Sequence, residues 1–247
     1  MSNSVRWFAL GFALVGCATH SGDDQPVPGD TAHLEVVIDT PTLHWADGVA
    51  DTSSVHAIRV DDTDGTRTDV TDQAAFTVSP VELGAVAATT LAPSGQMAGE
   101  GQLTAAVSTL VGMGSFTVYV SDTVPGTADP SAASLFATAT LDQGASIVVA
   151  YPPAGALIPP NIGEMDVHWR DATKDLYEVQ LSGAFVTLKT YVNTLGAATW
   201  TTLADARWKQ LSQGANGVDL EVRVRGLTMA SPAKFIEGKE NVRVAAE

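Results

Sequence analysis

The sequence predicts an all-β protein that contains two tandem β-sandwiches, and three observations predict this class. From residue 33 onwards, apolar and polar residues alternate in short runs, with turn-forming Gly, Pro and Asp between the runs. Val and Thr are abundant, and both suit pleated strands. Patterns with helical spacing are nearly absent, so only one short helix is expected, in the second domain.

Length, composition and charge narrow the class of protein. At 247 residues the chain is long enough for two domains of ordinary size, and its 45% apolar content argues against wholesale disorder. The formal net charge is −15, and no cluster of Lys or Arg could neutralise phosphates. Nucleic-acid binding is therefore not expected, because it depends on such clusters.

The first 16 residues have the layout of a secretory signal peptide. Arg6 supplies positive charge, an apolar run follows over residues 7–15, and the small Gly16 precedes the only cysteine, Cys17. The run is too short to span a bilayer, which takes about 20 apolar residues. We expect cleavage after Gly16, which gives a mature chain that begins at Cys17.

Leu14-Val15-Gly16-Cys17 resembles a bacterial lipobox. The resemblance implies that the Cys17 thiol carries a diacylglyceryl group and that its freed amine takes a third acyl chain. Each buried CH₂ contributes about 0.8 kcal/mol, so three chains would hold the protein permanently at a membrane. Ala18, rather than aspartate, implies the outer membrane, at its periplasmic face or at the cell surface. The alternative is an ordinary signal peptide with an incidental cysteine.

Residues 17–31 are predicted to form the lipidated cysteine and a flexible tether. The segment after Cys17 is polar and contains Gly, Asp and two prolines, so it buries too little apolar surface to fold. With Cys17 lipidated no disulfide can form, and stability has to come from apolar cores.

The first sandwich is predicted over residues 32–145. The sequence DDTDGTRTD (61–69) forms a turn, in which Asp64-Gly65 suits a hairpin. Many short strands at close spacing are typical of a β-sandwich. The alternating runs predict strands at 33–39, 54–60, 74–79, 84–89, 101–109, 114–122 and 132–141.

Part of this region resembles a bacterial immunoglobulin-like domain of the Big_2 type. The motifs that carry the resemblance are DGTRTDVTDQAAFTVSPVELGAV (64–86), GEGQLTAAV (99–107) and FTVYVSD (116–122). They match a DGT-x-x-DVT turn, F-x-V and G-x-V strands, a Gly-rich hairpin and a closing T-V-x-V strand. The resemblance implies an immunoglobulin-like sandwich without a fixed active site, so it assigns no functional residue.

The second domain is predicted over residues 146–247. Prolines interrupt its first strands, because proline cannot donate to a strand ladder. Trp169 suits the core position of a tryptophan in fibronectin type III-like sandwiches, which this region resembles. One helix is expected over 201–214, with Leu203 and Leu211 packed on the sandwich. Strands are expected at 164–170, 175–183, 185–193, 217–227 and 240–247.

Few residues are candidates for chemistry. The five histidines lack the spacing of a zinc site, so no metal site is predicted. The aspartates near Gly65 could bind calcium weakly, but turn chemistry alone places Asp and Gly there. Neither a nucleophile elbow nor a phosphate loop is recognisable, so no catalytic residue and no cofactor are predicted. The aspartates considered above for calcium are Asp61, Asp62, Asp64 and Asp69.

Tyr191, Trp200 and Trp208 are the candidate ligand-binding aromatics. Aromatic faces stack on sugar rings, so the three could form a binding platform; the competing interpretation is that they fill the second core. The sequence thus favours a non-enzymatic, membrane-anchored envelope lipoprotein that presents immunoglobulin-like domains for adhesion, envelope assembly or spacing. Its expected partners are the membrane, through Cys17, and an envelope protein or glycan. The alternative is a carbohydrate-binding module that acts at the cell surface or with an enzyme partner.

Overall fold

Most of the alternating runs in the sequence form strands. The structure, a computed structural model, describes residues 31–124, 126–128, 131–171, 173–193, 200–203, 205–214 and 217–246. The predicted signal peptide, Cys17 and nearly all of the tether lie outside this part of the chain. The described residues hold many strands, two short α-helices and two 3-10 turns (Thr71–Gln73 and Val81–Leu83), which confirms the all-β prediction.

The first half is a sandwich of two packed sheets. One sheet has the order β1–β4–β8–β7, with β5 added to β4, and it packs on β6, β9, β10 and β2. Its core contains Leu43, Val55, Leu83, Leu103 and Phe116. The strands are β1 (Ala32–Ile38), β2 (Thr42–Ala46), β3 (Val49–Ala50), β4 (Ser53–Asp61), β5 (Arg67–Asp69), β6 (Ala75–Ser79), β7 (Gly84–Ala87), β8 (Thr90–Pro93), β9 (Gly99–Val107) and β10 (Leu110–Val124).

The second half also consists of two packed sheets, in an immunoglobulin-like arrangement. One contains the order β11–β19–β18–β15–β16, and the other is β12–β14–β17. Trp169, Tyr177, Trp208 and Leu211 are buried in its core. The elements are α1 (Ala132–Thr138), β11 (Thr140–Ser146), β12 (Val148–Tyr151), β13 (Leu157–Ile158), β14 (Met165–Arg170), β15 (Leu176–Ser182), β16 (Val186–Asn193), β17 (Trp200–Leu203), α2 (Asp205–Gly214), β18 (Asp219–Leu227) and β19 (Lys234–Val244).

The long strand β10 belongs to both halves. Residues 110–118 pair with β9 antiparallel, and residues 120–124 pair with β16 parallel along the same edge. Its other edge pairs with β2. One sheet therefore runs through both sandwiches, and Ala32–Glu247 form one compact unit.

Residues 132–141 are the main correction to the expected strands. They form helix α1 and the start of β11. Ala132 and Phe136, four residues apart, are buried on one side of the helix, and the alanine-rich run AASLFAT suits a helix. Both α1 and β11 contact the second half: Phe136 packs near Tyr191, and β11 pairs with β19. The boundary at residue 145 stays a prediction.

Three smaller differences have local causes. The helix expected over 201–214 begins at Asp205, because Trp200–Leu203 form a strand that pairs with β14. Leu203 and Leu211 are buried as expected. Strand β19 begins at Lys234, six residues before the expected start. The hairpin of β2 and β3 was not expected; Asp47 and Gly48 form its two-residue turn with positive φ angles of 47° and 86°.

Candidate functional site

The candidate site lies on the outer face of the sheet in the second half. Along β15, Tyr177, Val179 and Leu181 face the core, so Glu178 and Gln180 face outward. Both outward side chains are nevertheless buried, with exposed fractions of 2% and 8%. Neighbouring side chains and helix α1 cover this face, and a groove lies at that point.

Glu178 and Arg225 form the floor of the groove. Arg225 Nε and Nη2 donate to Glu178 Oε1 over 2.8 and 2.5 Å, and Tyr191 Oη donates to Glu178 Oε2 over 3.1 Å. Burial, with the nearby Glu178 carboxylate, raises the pKa of Tyr191 well above its usual range. The phenol therefore stays protonated and remains a hydrogen-bond donor at neutral pH.

Two aromatic rings hold the guanidinium of Arg225. Its central carbon lies 5.2 Å from the ring centroid of Phe136 on α1 and 4.9 Å from that of Phe235 on β19. Both distances suit cation–π attraction. The position of α1 is thus coupled to the ion pair beneath it.

Asp47 in the turn after β2, Thr123 on β10 and Lys189 on β16 lie side by side. Thr123 N donates to Asp47 Oδ1 over 2.6 Å, which fixes the Asp47-Gly48 turn against β10. On the other edge of β10, Thr123 is the register partner of Lys189. A carboxylate, a hydroxyl and an ammonium group therefore line one wall of the groove.

The groove has a volume of about 690 Å³, which lies in the range of small-molecule sites. Its rim is partly apolar, from α1, Leu141 and Phe235, and its floor is polar. Ser121 and Thr123 have no histidine among the described residues that line the groove, so nothing there resembles a paired nucleophile and base. The arrangement is suited to binding by hydrogen bonds and apolar contact.

The structure separates the three predicted aromatics. Trp208 is fully buried in the core, and Tyr191 is 7% exposed beneath α1. A buried ring has no free face for a sugar, so neither residue can supply the expected platform, and core packing explains both. The backbone of Trp200 lies in β17, but its side chain lies outside the described part, as does Cys17.

The acidic turn uses its carboxylates locally. Asp61 accepts from Thr63 N, Asp64 from Thr66 N, and Asp69 from Thr71 N and Oγ1. These hydrogen bonds lower the pKa of Asp64 and Asp69. Asp62 is paired instead with His33, whose Nδ1 lies 2.6 Å from Asp62 Oδ1. Turn chemistry accounts for the other three aspartates.

The described residues contain neither a cluster of metal ligands nor a helix that could cross a membrane. Among them, no three His, Cys, Asp or Glu side chains converge as metal ligands would. None of the helices described in this chain has the length and apolar character to cross a membrane.

Sequence reasoning missed the groove residues Glu178, Arg225, Lys189 and Asp47. The first three lie at alternate positions of their strands, and this pattern predicts only that their side chains face outward. Asp47 precedes Gly48, and this Asp-Gly pair was the available signal for a hairpin. The convergence of the four depends on strand order, which the sequence does not give.

Comparison with known proteins gave only distant structural likenesses. Neither a family model nor a curated protein matches the chain. Titin Ig tandem domains A164-A165 match with 8% identity and a TM-score of 0.24, over 87% of this chain and 99% of theirs. Human mucin-like protocadherin EC1-2 matches with 11% identity and a TM-score of 0.28, over 85% of this chain and 98% of the protocadherin chain. A two-domain fibronectin type III segment of chicken tenascin matches with 14% identity and a TM-score of 0.23, over 83% of this chain and 96% of the tenascin segment. Scores this low establish neither a family nor a function.

Proposed function

We propose that the protein is a non-enzymatic envelope lipoprotein that presents an immunoglobulin-like body at the outer membrane. The observation that carries the proposal is Leu14-Val15-Gly16-Cys17 at the end of a signal-like apolar run. Three acyl chains on Cys17 would anchor the chain, and the polar segment that follows would separate the body from the lipid.

The body suits adhesion, assembly or spacing because its halves share a strand. β10 is hydrogen-bonded to β9 and β16 along one edge and to β2 along the other. The two sandwiches are therefore joined by a ladder of hydrogen bonds as well as by a linker.

Charge is distributed unequally between the halves. Residues 32–124 contain 12 acidic and two basic residues, whereas residues 132–247 contain 12 acidic and ten basic residues. The first half would be repelled by anionic headgroups, so the lipid has to hold the protein at the membrane. The second half is nearly neutral and supplies most of the groove lining, with Asp47, Ser121 and Thr123 added from the first half. It is therefore the better candidate for contact with an envelope partner.

The anchor is tested by the intact mass of the protein extracted from its own membranes. We expect the mass of residues 17–247 plus acyl chains. The Cys17→Ser variant should lose that added mass and move to the soluble fraction, whereas the matched Thr19→Ser variant should keep both. A mature chain with an unmodified Cys17 thiol would overturn the proposal.

A further inference from the structure

The groove described above has balanced charge within an acidic protein. Arg225 neutralises Glu178 on the floor, and the wall carries one carboxylate, Asp47, and one ammonium group, Lys189. A groove selective for anions or for cations would carry an excess of one charge. The balance here favours a neutral ligand.

Lys189 has unused donors. It is half-buried, and within the described residues no carboxylate lies within ion-pair distance of its Nζ. An ammonium group has three N–H donors, and a partly buried one gains from an acceptor that replaces water.

Asp47 supplies the complementary acceptor. Its Oδ1 binds Thr123 N, while the side chain is exposed at the groove wall. A carboxylate accepts at two oxygens, so Oδ2 is available to a donor from the ligand. The exposed Thr123 hydroxyl, between the two charged groups, can donate and accept.

Hydroxyl-rich ligands match this set. A sugar hydroxyl both donates and accepts, so adjacent hydroxyls on one ring can donate to Asp47 and accept from Lys189. The C–H face of a sugar ring is apolar and fits the rim formed by Phe235, Leu141 and α1.

We propose that this groove binds a neutral oligosaccharide, with Asp47 and Lys189 as the recognition pair and Thr123 between them. Of the predicted aromatics whose side chains are described, Tyr191 lines this groove and Trp208 lies in the core. Binding at the groove does not depend on lipidation of Cys17. The experiments can therefore disprove the lipid anchor and the binding site independently.

The test uses the full chain with Cys17→Ser, which keeps it soluble. The probes are neutral hexasaccharides of glucose, mannose, xylose and N-acetylglucosamine, each with β-1,4 links, and a galacturonate hexamer as the charged probe. Calorimetry measures affinity, and amide shifts of Thr123 and Lys189 in NMR spectra locate the site. We expect at least one neutral probe to bind and to shift both amides.

Charge-removing variants identify the recognition pair. Asp47→Asn keeps an oxygen acceptor for Thr123 N, and asparagine tolerates the positive φ of the turn. Asp47→Asn and Lys189→Gln should each weaken binding about tenfold, since each removes a hydrogen bond to a charged group. The matched variants Asp72→Asn and Lys209→Gln change exposed residues away from the groove and should bind as the parent does.

Three outcomes would overturn the proposal. One is that no neutral probe binds at millimolar concentration to a chain whose circular dichroism shows a folded β protein. Another is that only the galacturonate hexamer binds, which would show that the groove prefers an anionic ligand. The third is that a neutral probe binds equally well to the groove variants and to the matched ones.

Discussion

Glu178 and Arg225 lie opposite each other on β15 and β18, and both charged groups are withdrawn from water. Tyr191 and the rings of Phe136 and Phe235 complete the enclosure. A buried ion pair stabilises little overall while complete, but loss of one member leaves a charge without compensation. The pair therefore couples the sheet, helix α1 and β19.

Arg225→Leu should lower the free energy of unfolding by about 3–5 kcal/mol, because it leaves the Glu178 carboxylate buried and unpaired. Urea denaturation measures the loss. The double variant Glu178→Leu/Arg225→Leu should recover most of it, and the exposed Lys209→Leu serves as control. Equal stability of Arg225→Leu and the parent would show that the pair is not buried as described.

Tyr177→Phe should cost about 1–2 kcal/mol of stability, because the Tyr177 hydroxyl donates to Asp171 Oδ2 over 2.9 Å. The ring itself stays packed 5.0 Å from Trp169, so the core keeps its volume. Thermal denaturation gives the difference, and Tyr151→Phe, at an exposed tyrosine, is the control. An unchanged melting temperature in Tyr177→Phe would contradict this hydrogen bond.

Stability should fall in acid partly through Asp171. Burial acts to raise the pKa of Asp171, but hydrogen bonds from Thr173 and Tyr177 outweigh it, so the pKa is lowered below 3.8. A lowered pKa adds stability above the unfolded value and loses it as pH falls through the folded one. Asp171→Asn should therefore be less stable than the parent at pH about 7, and the difference in stability should shrink as the pH falls below 3.8. A stability difference between Asp171→Asn and the parent that stays constant with pH would show that the lowered pKa of Asp171 does not contribute.

Gly112→Ala should destabilise the first sandwich by about 1–3 kcal/mol, as overpacking does. A Cβ at Gly112 would overlap the carbonyl oxygen of Leu34, because β10 passes directly beneath β1. Gly163→Ala is the matched control, since nothing lies within 4 Å of the added Cβ. Chemical denaturation of the two variants compares them, and similar stability would show that the sheets can separate to accept a methyl group.

The two halves should unfold in one transition, because they share β10. Calorimetry should give equal calorimetric and van't Hoff enthalpies, and fluorescence and circular dichroism should give coincident curves. Two resolved transitions would show that the bonds of β10 to β16 are too weak to link the halves.

The sequence predicted much of the strand content, because period-two alternation marks a strand with one buried face. It could not identify α1, since Ala, Leu and Phe in residues 132–141 suit either a strand or a helix, and the contact of Phe136 with Tyr191 decides between them. Tyr191 and Trp208 were recognised as core or site residues, but burial could not be assigned from spacing alone. The groove was not predictable, because Asp47 and Lys189 are 142 positions apart and meet only through β10.

Strand β10 also affects how the protein would respond to mechanical tension. Its hydrogen bonds to β9 and β16 run along one edge, and those to β2 along the other. A force that drew the halves apart along this strand would load many of these bonds in shear at once, instead of opening them one at a time. Such a joint would resist stretching, because these bonds would have to break together.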